Sequence, residues 1–512
     1  MWLPLSASGW ISWNIYTTLH LEQSSNMAQM RPPRQVAIVG GGIAGLYAGI
    51  LLQSKGVAVH IFEANARVGG RVWTYRFSDD KDQFFEAGAM RIPKSPIHRP
   101  VLDVISFVNA RLGNNYVEAV PYILHSTGNR VYVNDRRQDD GSHYSLSDLD
   151  SLTAHRLGFD LPQPYANMTA TELLEPIIRP FVKALQNDFT IGYNEIMKYD
   201  DLSFRLYLSS VAQWPPEVID FVELMLSQSN QYSLGFTEVI LQNMDFSTRE
   251  WFTIKDGMDR LPNAMARIIG PQNITLNARV RGFAELPSGG ITLNFDSSAA
   301  TNPMDTVFDN VILALPPAAI RTMLTHRPRW SPSKEAAIRA VHFEPLFKLG
   351  LRFKTRFWER VRRPSFGGQS ITDLPSRWVV YPSNGMGSQG PGVLLTYSWM
   401  TDANTWLPLS DEDQIDLALR DLAKLYQKEI NVYDEFIEGK AICWSSNWSC
   451  GDAMFLPGQH TAYASVLATP EHGVYFAGEH LSRHHTWIVG AIDSALNTVR
   501  DMLGDQSLPL LS

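Results

Sequence analysis

Residues 35–71 read QVAIVGGGIAGLYAGILLQSKGVAVHIFEANARVGGR, and this stretch decides the fold. It opens with an apolar run at 36–39, which is typical of a buried parallel strand. A turn follows in which Gly40, Gly42 and Gly45 form a G-x-G-x-x-G pattern. The first two glycines allow a tight turn and a close approach to a pyrophosphate, and the third lets a helix pack on the strand. The pattern therefore predicts a phosphate-binding turn between a strand and a helix.

The residues after the turn complete the unit. Apolar residues recur at helical spacing until Gly56, and a second apolar strand over 57–62 ends on an acid, Glu63. The N-terminus of the helix offers free N–H groups to phosphates, and Glu63 stands where a carboxylate accepts hydrogen bonds from a ribose. The sequence predicts a Rossmann-like α/β unit that binds a dinucleotide.

The chain continues past this acid as ANARVGGR at 64–71. This extension resembles the FAD-binding flavoproteins, a group that includes amine oxidases, rather than the NAD dehydrogenases. Arg71 ends the extension with a permanently charged guanidinium that suits a diphosphate oxygen. The alternative for Arg71 is a surface ion pair, which the adjacent glycines disfavour.

Bulk composition limits the class of protein. The chain has 512 residues, 45% of them apolar and 19% charged, so two or three globular domains are expected. The net charge of −8 argues against a nucleic-acid partner, and no apolar run reaches the roughly 18 residues of a membrane span. Two cysteines provide no disulfide framework, and residues 1–30 lack a secretory signal pattern. We expect a cytoplasmic location and leave secretion open.

The motifs alternate along the chain, so we expect domains assembled from separated segments. The FAD-binding domain is predicted from 31–72, 247–330 and 457–505, the mixed α/β substrate-binding domain from 73–140 and 331–456, the helical domain from 141–246, and an N-terminal extension of unknown role from 1–30. The helical domain contains no dense cluster of catalytic residue types, and Pro176 and Pro180 are expected to kink or split its long helix.

Over about 35–503 the chain resembles the FAD-dependent L-amino acid oxidases of the flavin monoamine oxidase superfamily. The motifs that carry the resemblance are the opening glycine turn, GAMR at 88–91, DGMDRLP at 256–262, DLPSR at 373–377, FAGEH at 476–480 and TWIVGAIDSA at 486–495. The resemblance implies oxidation of the α-amino group by FAD, hydrolysis to a keto acid and ammonia, and reoxidation by oxygen to hydrogen peroxide.

Four catalytic positions follow from the resemblance. Arg91 matches the arginine that holds the substrate carboxylate, and a planar guanidinium binds a carboxylate through two parallel hydrogen bonds. A structural ion pair in the substrate-binding domain is the competing interpretation of Arg91. Tyr381 matches a tyrosine that also meets the carboxylate, and an ordinary half-buried strand tyrosine is the competing interpretation. Lys348 matches a lysine that holds a water beside flavin N5, although an exposed strand lysine in phase with Arg352 is the competing interpretation. Trp487 matches an aromatic residue beside the substrate.

The resemblance also implies a set of cofactor-binding residues. Glu479 matches an acid near the pyrophosphate, Val280 a residue whose backbone meets the adenine, and Trp487 and Ile488 a helix start under the isoalloxazine. The full predicted set is Gly40, Gly42, Ala44, Gly45, Glu63, Ala64, Arg71, Gly88, Ala89, Met90, Arg91, Val280, Glu479, Trp487 and Ile488. No metal site is expected.

This chain departs from the family pattern at two points. Venom members carry a histidine late in the helical domain, proposed as a base, whereas residues 238–246 here contain Gln242 and no histidine. His484 and His485 are possible substitutes. Some monoamine oxidases attach FAD through a cysteine, and Cys450 lies eight residues before Gly458. We predict non-covalent FAD.

The sequence leaves several alternatives open. An amine or polyamine oxidase needs no carboxylate clamp, and an amino acid 2-monooxygenase yields an amide on the same fold. A flavin-bearing binding protein without turnover is the alternative from another class. Trp378, Trp399 and Trp444 suggest an aromatic-lined pocket, and the packing of a core explains them equally well. A small amino acid, oxygen and a possible second copy of the chain are the expected partners.

Overall fold

The computed structural model describes residues 33–113, 115–297, 306–323, 329–427, 429–445 and 450–511. The N-terminal extension predicted at 1–30 lies outside them. Helices and strands alternate through the described residues, and the expected α/β class is confirmed. The strands are β1 Gln35–Val39, β2 Ala58–Phe62, β3 Thr74–Arg76, β4 Phe84–Glu86, β5 Ile92–Pro93, β6 Ala119–Pro121, β7 Arg130–Tyr132, β8 Tyr144–Ser145, β9 Trp251–Ile254, β10 Ile274–Thr275, β11 Ala278–Glu285, β12 Ile291–Ser297, β13 Asn310–Leu313, β14 Leu346–Phe353, β15 Gln369–Thr372, β16 Trp378–Val380, β17 Gly392–Trp399, β18 Phe436–Cys443 and β19 Val474–Phe476.

The helices account for most of the remaining regular structure. They are α1 Ile43–Ser54, α2 Arg99–Leu112, α3 Ala170–Asn187, α4 Phe189–Met197, α5 Phe204–Ser210, α6 Pro216–Leu226, α7 Phe236–Asp245, α8 Arg260–Ile269, α9 Pro317–Arg321, α10 Pro332–Ala340, α11 Met400–Asn404, α12 Asp411–Tyr426, α13 Val432–Glu435, α14 Gln459–Ala468 and α15 Ile488–Leu503. None of the helices in the described ranges is both long and apolar enough to cross a bilayer.

A parallel sheet of five strands contains the glycine-rich turn. Its order is β10-β2-β1-β13-β19, and every neighbouring pair is parallel. Strand β1 is almost wholly buried, as its apolar run predicts, with helices α1 and α15 among the elements that cover the sheet. The strands come from distant parts of the chain, and their carboxyl ends meet at one edge of the sheet, where ligands bind in open α/β folds.

A second, mainly antiparallel sheet supplies the opposite wall. Its order is β18-β14-β17-β16-β15-β7-β8, with only the β15–β7 pair parallel. One face of β14 and β17 packs under helix α12. The other face, which carries Trp378, Tyr397 and Trp399, packs toward the helices α3–α7. Side chains alternate between these two faces along each strand.

Helix α3 runs without a break from Ala170 to Asn187, so Pro176 and Pro180 do not split it, and the expected kink stays a prediction. Both prolines are exposed. The carbonyl groups that lose their helical donors therefore face water, which supplies the missing hydrogen bonds. The opposite face buries Leu173, Leu174 and other apolar residues, and this packing favours a continuous helix.

Candidate active site

A cavity of about 760 Å³ lies between the carboxyl edge of the parallel sheet and the second sheet. Strand ends of the parallel sheet, the loop after β13 and the start of α15 form one side of it. Strands β14, β17 and β18 contribute the other side, and helix α7 closes one part of the wall. Every predicted cofactor-binding residue lines this cavity except Gly45.

The glycine-rich turn has the geometry that its sequence predicts. Gly40 has φ of +107°, and a Cβ there would lie 2.5 Å from Ala314 O. There is no space for a side chain at Gly45 either, since a Cβ added there would lie 2.0 Å from Gly40 O. Gly42 is the N-cap of α1 and lines the cavity, so its missing side chain leaves the helix N-terminus accessible to a phosphate. Turn and helix start together form an anion cradle.

Glu63 is fixed at the end of β2 by hydrogen bonds to its two oxygens. Its Oε2 accepts the N–H of Gly41 at 2.7 Å. Its Oε1 accepts the backbone and side-chain N–H groups of Asn65, each at 2.8 Å. The carboxylate is buried and faces the cavity, so its remaining lone pairs are available to ribose hydroxyls.

Arg71 and Glu479 were predicted separately and contact each other directly. The Arg71 guanidinium donates to Glu479 Oε1 at 2.8 Å and to Gly451 O at 2.8 Å. Burial raises the pKa of Glu479. Arg71 and nearby histidines lower this pKa by more than burial raises it, so it lies below its usual range. The pair lies in the cavity wall, so the alternative of a surface ion pair does not describe Arg71.

Asp452 lies in the cavity wall beside this pair and was missed by the sequence reasoning. One of its oxygens is 3.7 Å from the Arg71 guanidinium. Burial raises the pKa of Asp452 to about 6. A lone acid in a segment without regular structure gives no pattern, so its position depends on tertiary folding alone.

Lys348 is buried, with 2% of its surface exposed. Its ammonium donates to the carbonyl oxygens of Glu86, at 3.1 Å, and Gly88, and lies 4.6 Å from the centre of the Tyr397 ring. Burial lowers the pKa of Lys348 to about 7. Arg352, four residues along the strand, instead pairs with Glu438 near the surface. The interpretation of Lys348 as an exposed strand residue is therefore wrong.

Arg91 lies in the cavity wall with 6% of its surface exposed. Within the described part of the chain, no carboxylate oxygen lies within 4 Å of its guanidinium. Its guanidinium donates a long hydrogen bond to Gln369 Oε1, at 3.5 Å, and also interacts with the Tyr122 side chain. The rings of Phe246 and Trp251 have their centres 5.3 and 5.6 Å away. Arg91 is thus a buried cation beside aromatic rings and open to the cavity.

Tyr381 does not line the cavity, and its predicted contact with a substrate carboxylate is wrong. Its side chain is fully buried under helix α12. Its hydroxyl lies 2.8 Å from Ser370 Oγ and accepts a hydrogen bond from Tyr426 at 2.8 Å. Because side chains alternate along a strand, Val380 occupies the face directed toward the cavity side, and Tyr381 occupies the opposite face.

Helix α15 begins in the cavity wall. Trp487 is its N-cap residue and makes no side-chain capping bond, and Ile488 is its first residue. Both line the cavity, with the free N–H groups of the first turn close by. Val280 also lines the cavity, in strand β11, whose first residue Ala278 donates its N–H to Glu63 O at 2.8 Å. The flavin at the start of α15 and the adenine at Val280 stay predictions.

Aromatic residues and one amide complete the wall. Trp399 and Trp444 line the cavity, as the tryptophan-rich sequence suggested, whereas Trp378 packs behind Trp399. Tyr397 is an aromatic lining residue that the sequence reasoning missed, although it alternates in phase with Trp399 along β17. Gln242 lines the cavity at the position where a histidine was sought.

Neither the two candidate histidines nor the candidate cysteine lines the cavity. His484 and His485 are absent from its described lining, and His485 instead lies 2.7 Å from the carboxylate of Glu238. Cys450 is also outside the lining, and burial raises the pKa of its thiol to about 12. A thiol in that state is a poor nucleophile, which agrees with non-covalent cofactor binding.

Comparisons with known proteins agree with this site. The family model for flavin-containing amine oxidoreductases matches residues 43–503. An L-amino-acid oxidase of Siganus canaliculatus is 29% identical over 96% of this chain and 89% of its own length. An L-amino-acid oxidase of Crotalus adamanteus is 30% identical over 92% of this chain and 87% of its own length.

A protein of Dictyostelium discoideum with the provisional name bifunctional amine oxidase is 32% identical over 92% of this chain. This chain covers only 46% of that relative, so it spans about half of its length.

Solved structures show the same fold. Putrescine oxidase bound to putrescine superposes with a TM-score of 0.69 at 18% identity, over 92% of this chain and 99% of that one. Cyclohexylamine oxidase from Brevibacterium oxydans gives a TM-score of 0.68 at 17% identity, over 93% and 99%. The glycine cradle, the anchored Glu63 and the helix start at Ile488 fit FAD, the cofactor that the family implies. The chain belongs to the flavin-containing amine oxidoreductase family.

Proposed function

We propose that this protein catalyses the FAD-dependent oxidative deamination of L-amino acids, with oxygen as acceptor and a keto acid, ammonia and hydrogen peroxide as products. One observation carries the proposal: Arg91 presents a buried guanidinium to the cavity, and no carboxylate of the described chain lies within 4 Å of it. A buried charge without a partner is unfavourable by roughly several kcal/mol. The α-carboxylate of an amino acid supplies the missing charge.

The surroundings of Arg91 support the same ligand. Aromatic rings on its flanks exclude water and restrict the guanidinium, so two parallel hydrogen bonds to a carboxylate gain strength and fix its orientation. The guanidinium is held by neutral partners, a weak hydrogen bond to Gln369 at 3.5 Å and the Tyr122 side chain, which leave its charge uncompensated. With the carboxylate anchored at Arg91, the Cα–H of the substrate would be held toward the flavin in the cavity that Lys348 and Trp487 also line.

The remaining residues divide into two groups in this proposal. Lys348 would hold a water beside the flavin, and the N–H groups at the start of α15 would stabilise negative charge on it. Bound FAD supplies the hydride acceptor. The proposed cofactor-binding residues are those of the predicted set that line the cavity, and Gly45 acts indirectly by holding helix α1 against the turn.

An amine or polyamine oxidase is the nearest alternative, since the relatives and solved structures include amine oxidases. A polyamine carries extra ammonium groups away from its reacting amine, and these groups need acids close to them when they are buried. Arg91 repels such a substrate, and no acid of the described chain forms an ion pair with Arg91 that would offset this repulsion. This electrostatic argument favours a zwitterionic substrate over a dication.

A peroxide-coupled screen of the twenty amino acids and several amines tests the proposal. We expect peroxide from L-amino acids, with a keto acid and ammonia in equal amount. An amide product identifies an amino acid 2-monooxygenase instead, and peroxide from amines alone identifies an amine oxidase. Absence of flavin bleaching by every compound under anaerobic conditions identifies a binding protein without turnover.

The three-domain division, a homodimer and a cytoplasmic location stay predictions.

A further inference from the structure

Helix α7 directs three polar residues into the interior. Glu238, Gln242 and Asp245 are spaced by four and three residues, so they share one face of the helix, and all three are buried. This face meets segments near residues 455–460 and 484–487 from the C-terminal part of the chain. A buried carboxylate persists only where donors compensate for its lost hydration.

The carboxylate of Glu238 has donors at both of its oxygens. Its Oε2 lies 2.7 Å from His485 Nδ1 and 3.2 Å from His460 Nε2. The same oxygen accepts the N–H of Phe455 at 3.1 Å. Its Oε1 accepts a side-chain N–H of Gln242 at 3.2 Å. One fully buried side chain therefore joins its own helix to three positions in the C-terminal part of the chain.

The link through Oε1 reaches the cavity wall. Gln242 lines the cavity, and its amide is held at both ends. Its Nε2 donates to Glu238, and its Oε1 accepts from Gln231 Nε2 at 2.5 Å. Rotation of this amide breaks a buried hydrogen bond, so Glu238 determines which atoms Gln242 presents to the cavity.

The link through Oε2 holds the loop that leads into helix α15. His485 precedes the cavity residue Trp487 by two positions, and Thr486 between them has φ of +71°. The N–H of Thr486 donates to Glu479 Oε2 at 2.9 Å. A β-branched residue in the left-handed region is strained and requires support from its surroundings. Glu238 and Glu479 supply that support at successive residues.

We propose that Glu238 is a positioning residue of this active site, fixing Gln242 through one oxygen and the loop before Trp487 through the other. Glu238 is outside the described lining of the cavity, so it acts only through these neighbours. The inference rests on the proposed oxidation in this cavity. The electrostatics agree, because Glu238 raises the pKa of His485 although burial opposes this, and the two histidines lower the pKa of Glu238.

The same three side chains have a second possible use. The ligand atoms of Glu238, His460 and His485 lie within 4.8 Å of one another, as metal ligands do. A backbone N–H already points at the shared carboxylate oxygen, however, and the other ring nitrogen of His460 lies 3.4 Å from Tyr193 Oη. A positively polarised N–H at that oxygen disfavours a cation, so the geometry favours a hydrogen-bonded cluster.

The primary test replaces the carboxylate by its neutral isostere, E238Q, and uses E223Q as the matched control. Glu223 is a buried carboxylate of helix α6 that accepts the N–H of Tyr232 and lies outside the cavity lining. A glutamine at 238 places an NH2 group where one carboxylate oxygen stood, so the donors at that position face another donor. We expect kcat/KM to fall at least roughly tenfold for E238Q, with flavin still bound, and by less than about twofold for E223Q.

Two further variants separate the links. We expect Q242L to raise KM with little change in kcat, and H485A to lower kcat with little change in KM. E238Q shows both changes, and the double variant E238Q/Q242L has a KM no higher than E238Q, because the two residues act as one unit. H485N restores most of the kcat lost in H485A, since its side-chain amide still donates to Glu238.

Kinetic constants of E238Q that match those of E223Q overturn the inference, and so does a multiplicative loss in the double variant. A stoichiometric divalent metal in the purified protein, detected by elemental analysis, also overturns it. If E238Q does not fold, the comparison of H485A with H485N decides alone. The assays use whichever amine or amino acid the wild type oxidises, so failure of the amino acid proposal is distinguishable from failure of this one.

Discussion

Two alanine substitutions one turn apart on helix α1 test how the glycine-rich turn holds its cofactor. Gly45 and Gly49 are both helical, and exchange of a helical glycine for alanine favours folding by about 1 kcal/mol when space allows. A Cβ at Gly49 meets three methyl groups at 3.4 to 3.5 Å, which is ordinary contact. A Cβ at Gly45 lies 2.0 Å from the carbonyl oxygen of Gly40 and 3.2 Å from Ala314 Cβ.

The overlap at Gly45 cannot be relieved by a rotamer change, because the nearest atom belongs to the backbone. Real Cβ atoms essentially never come closer than 3.0 Å, so helix α1 and the turn must move apart by about 1 Å. Forcing extra volume into a packed site costs about 1–3 kcal/mol. The propensity gain is common to both sites and cancels, so we expect the unfolding free energy of G45A to lie about 1–3 kcal/mol below that of G49A.

The displaced turn also carries the anion cradle, so part of this cost falls on cofactor binding. We expect G45A to bind FAD about 10-fold more weakly, whereas G49A retains the wild-type affinity. Flavin content after gel filtration, FAD titration of the apoprotein and urea unfolding of both variants provide the measurement. Equal stability and equal flavin content in the two variants would refute the role assigned to the contact between helix α1 and the turn.

Three further predictions concern individual side chains. Lys348 has a pKa lowered to about 7, so its positive charge is lost as pH rises through that value, and we expect reoxidation of reduced flavin by oxygen to slow over the same range. K348M should reoxidise at least about tenfold more slowly and without this pH dependence, and stopped-flow traces with the same inflection in K348M would contradict the assignment. Acid precipitation should release all flavin from both the wild type and C450S, because the Cys450 thiol lies outside the cavity lining; flavin retained in the wild-type pellet alone would indicate a thioether. Y381F should leave KM unchanged and reduce stability by about 1–2 kcal/mol through the lost hydrogen bonds, whereas a raised KM at full stability would restore Tyr381 to the site.

The parts of the site that the sequence predicts are those with a local physical reason. The turn at Gly40, the acid at Glu63 and the guanidinium at Arg71 follow within one stretch, because their spacing is fixed by the strand and helix between them. Lys348 is assigned by resemblance, and its place in an apolar strand agrees with that assignment, because a buried ammonium needs a role or a partner. Its two carbonyl partners and its position in the cavity agree with that reasoning.

The errors and omissions have physical causes as well. Tyr381 is assigned by resemblance. A strand places adjacent residues on opposite faces, so an assignment that is off by one residue puts the side chain on the wrong face of the sheet. Asp452 and Phe246 reach the cavity from distant segments with no periodic pattern. Pro176 permits a continuous helix because it faces water, and exposure of that kind cannot be read from a proline in the sequence. The role of Glu238 required knowledge of which donors surround it.

The central claim is that Arg91 selects a carboxylate, and paired substrates with and without that group test it most directly. The measurement is kcat/KM for L-phenylalanine and for phenethylamine, which lacks only the carboxylate, in the wild type and in R91A. Losing a buried charge-assisted pair costs about 2–5 kcal/mol, so R91A should lose about 100-fold or more on the amino acid and less than about threefold on the amine. An equal loss on both substrates, or no loss on the amino acid, would contradict the account.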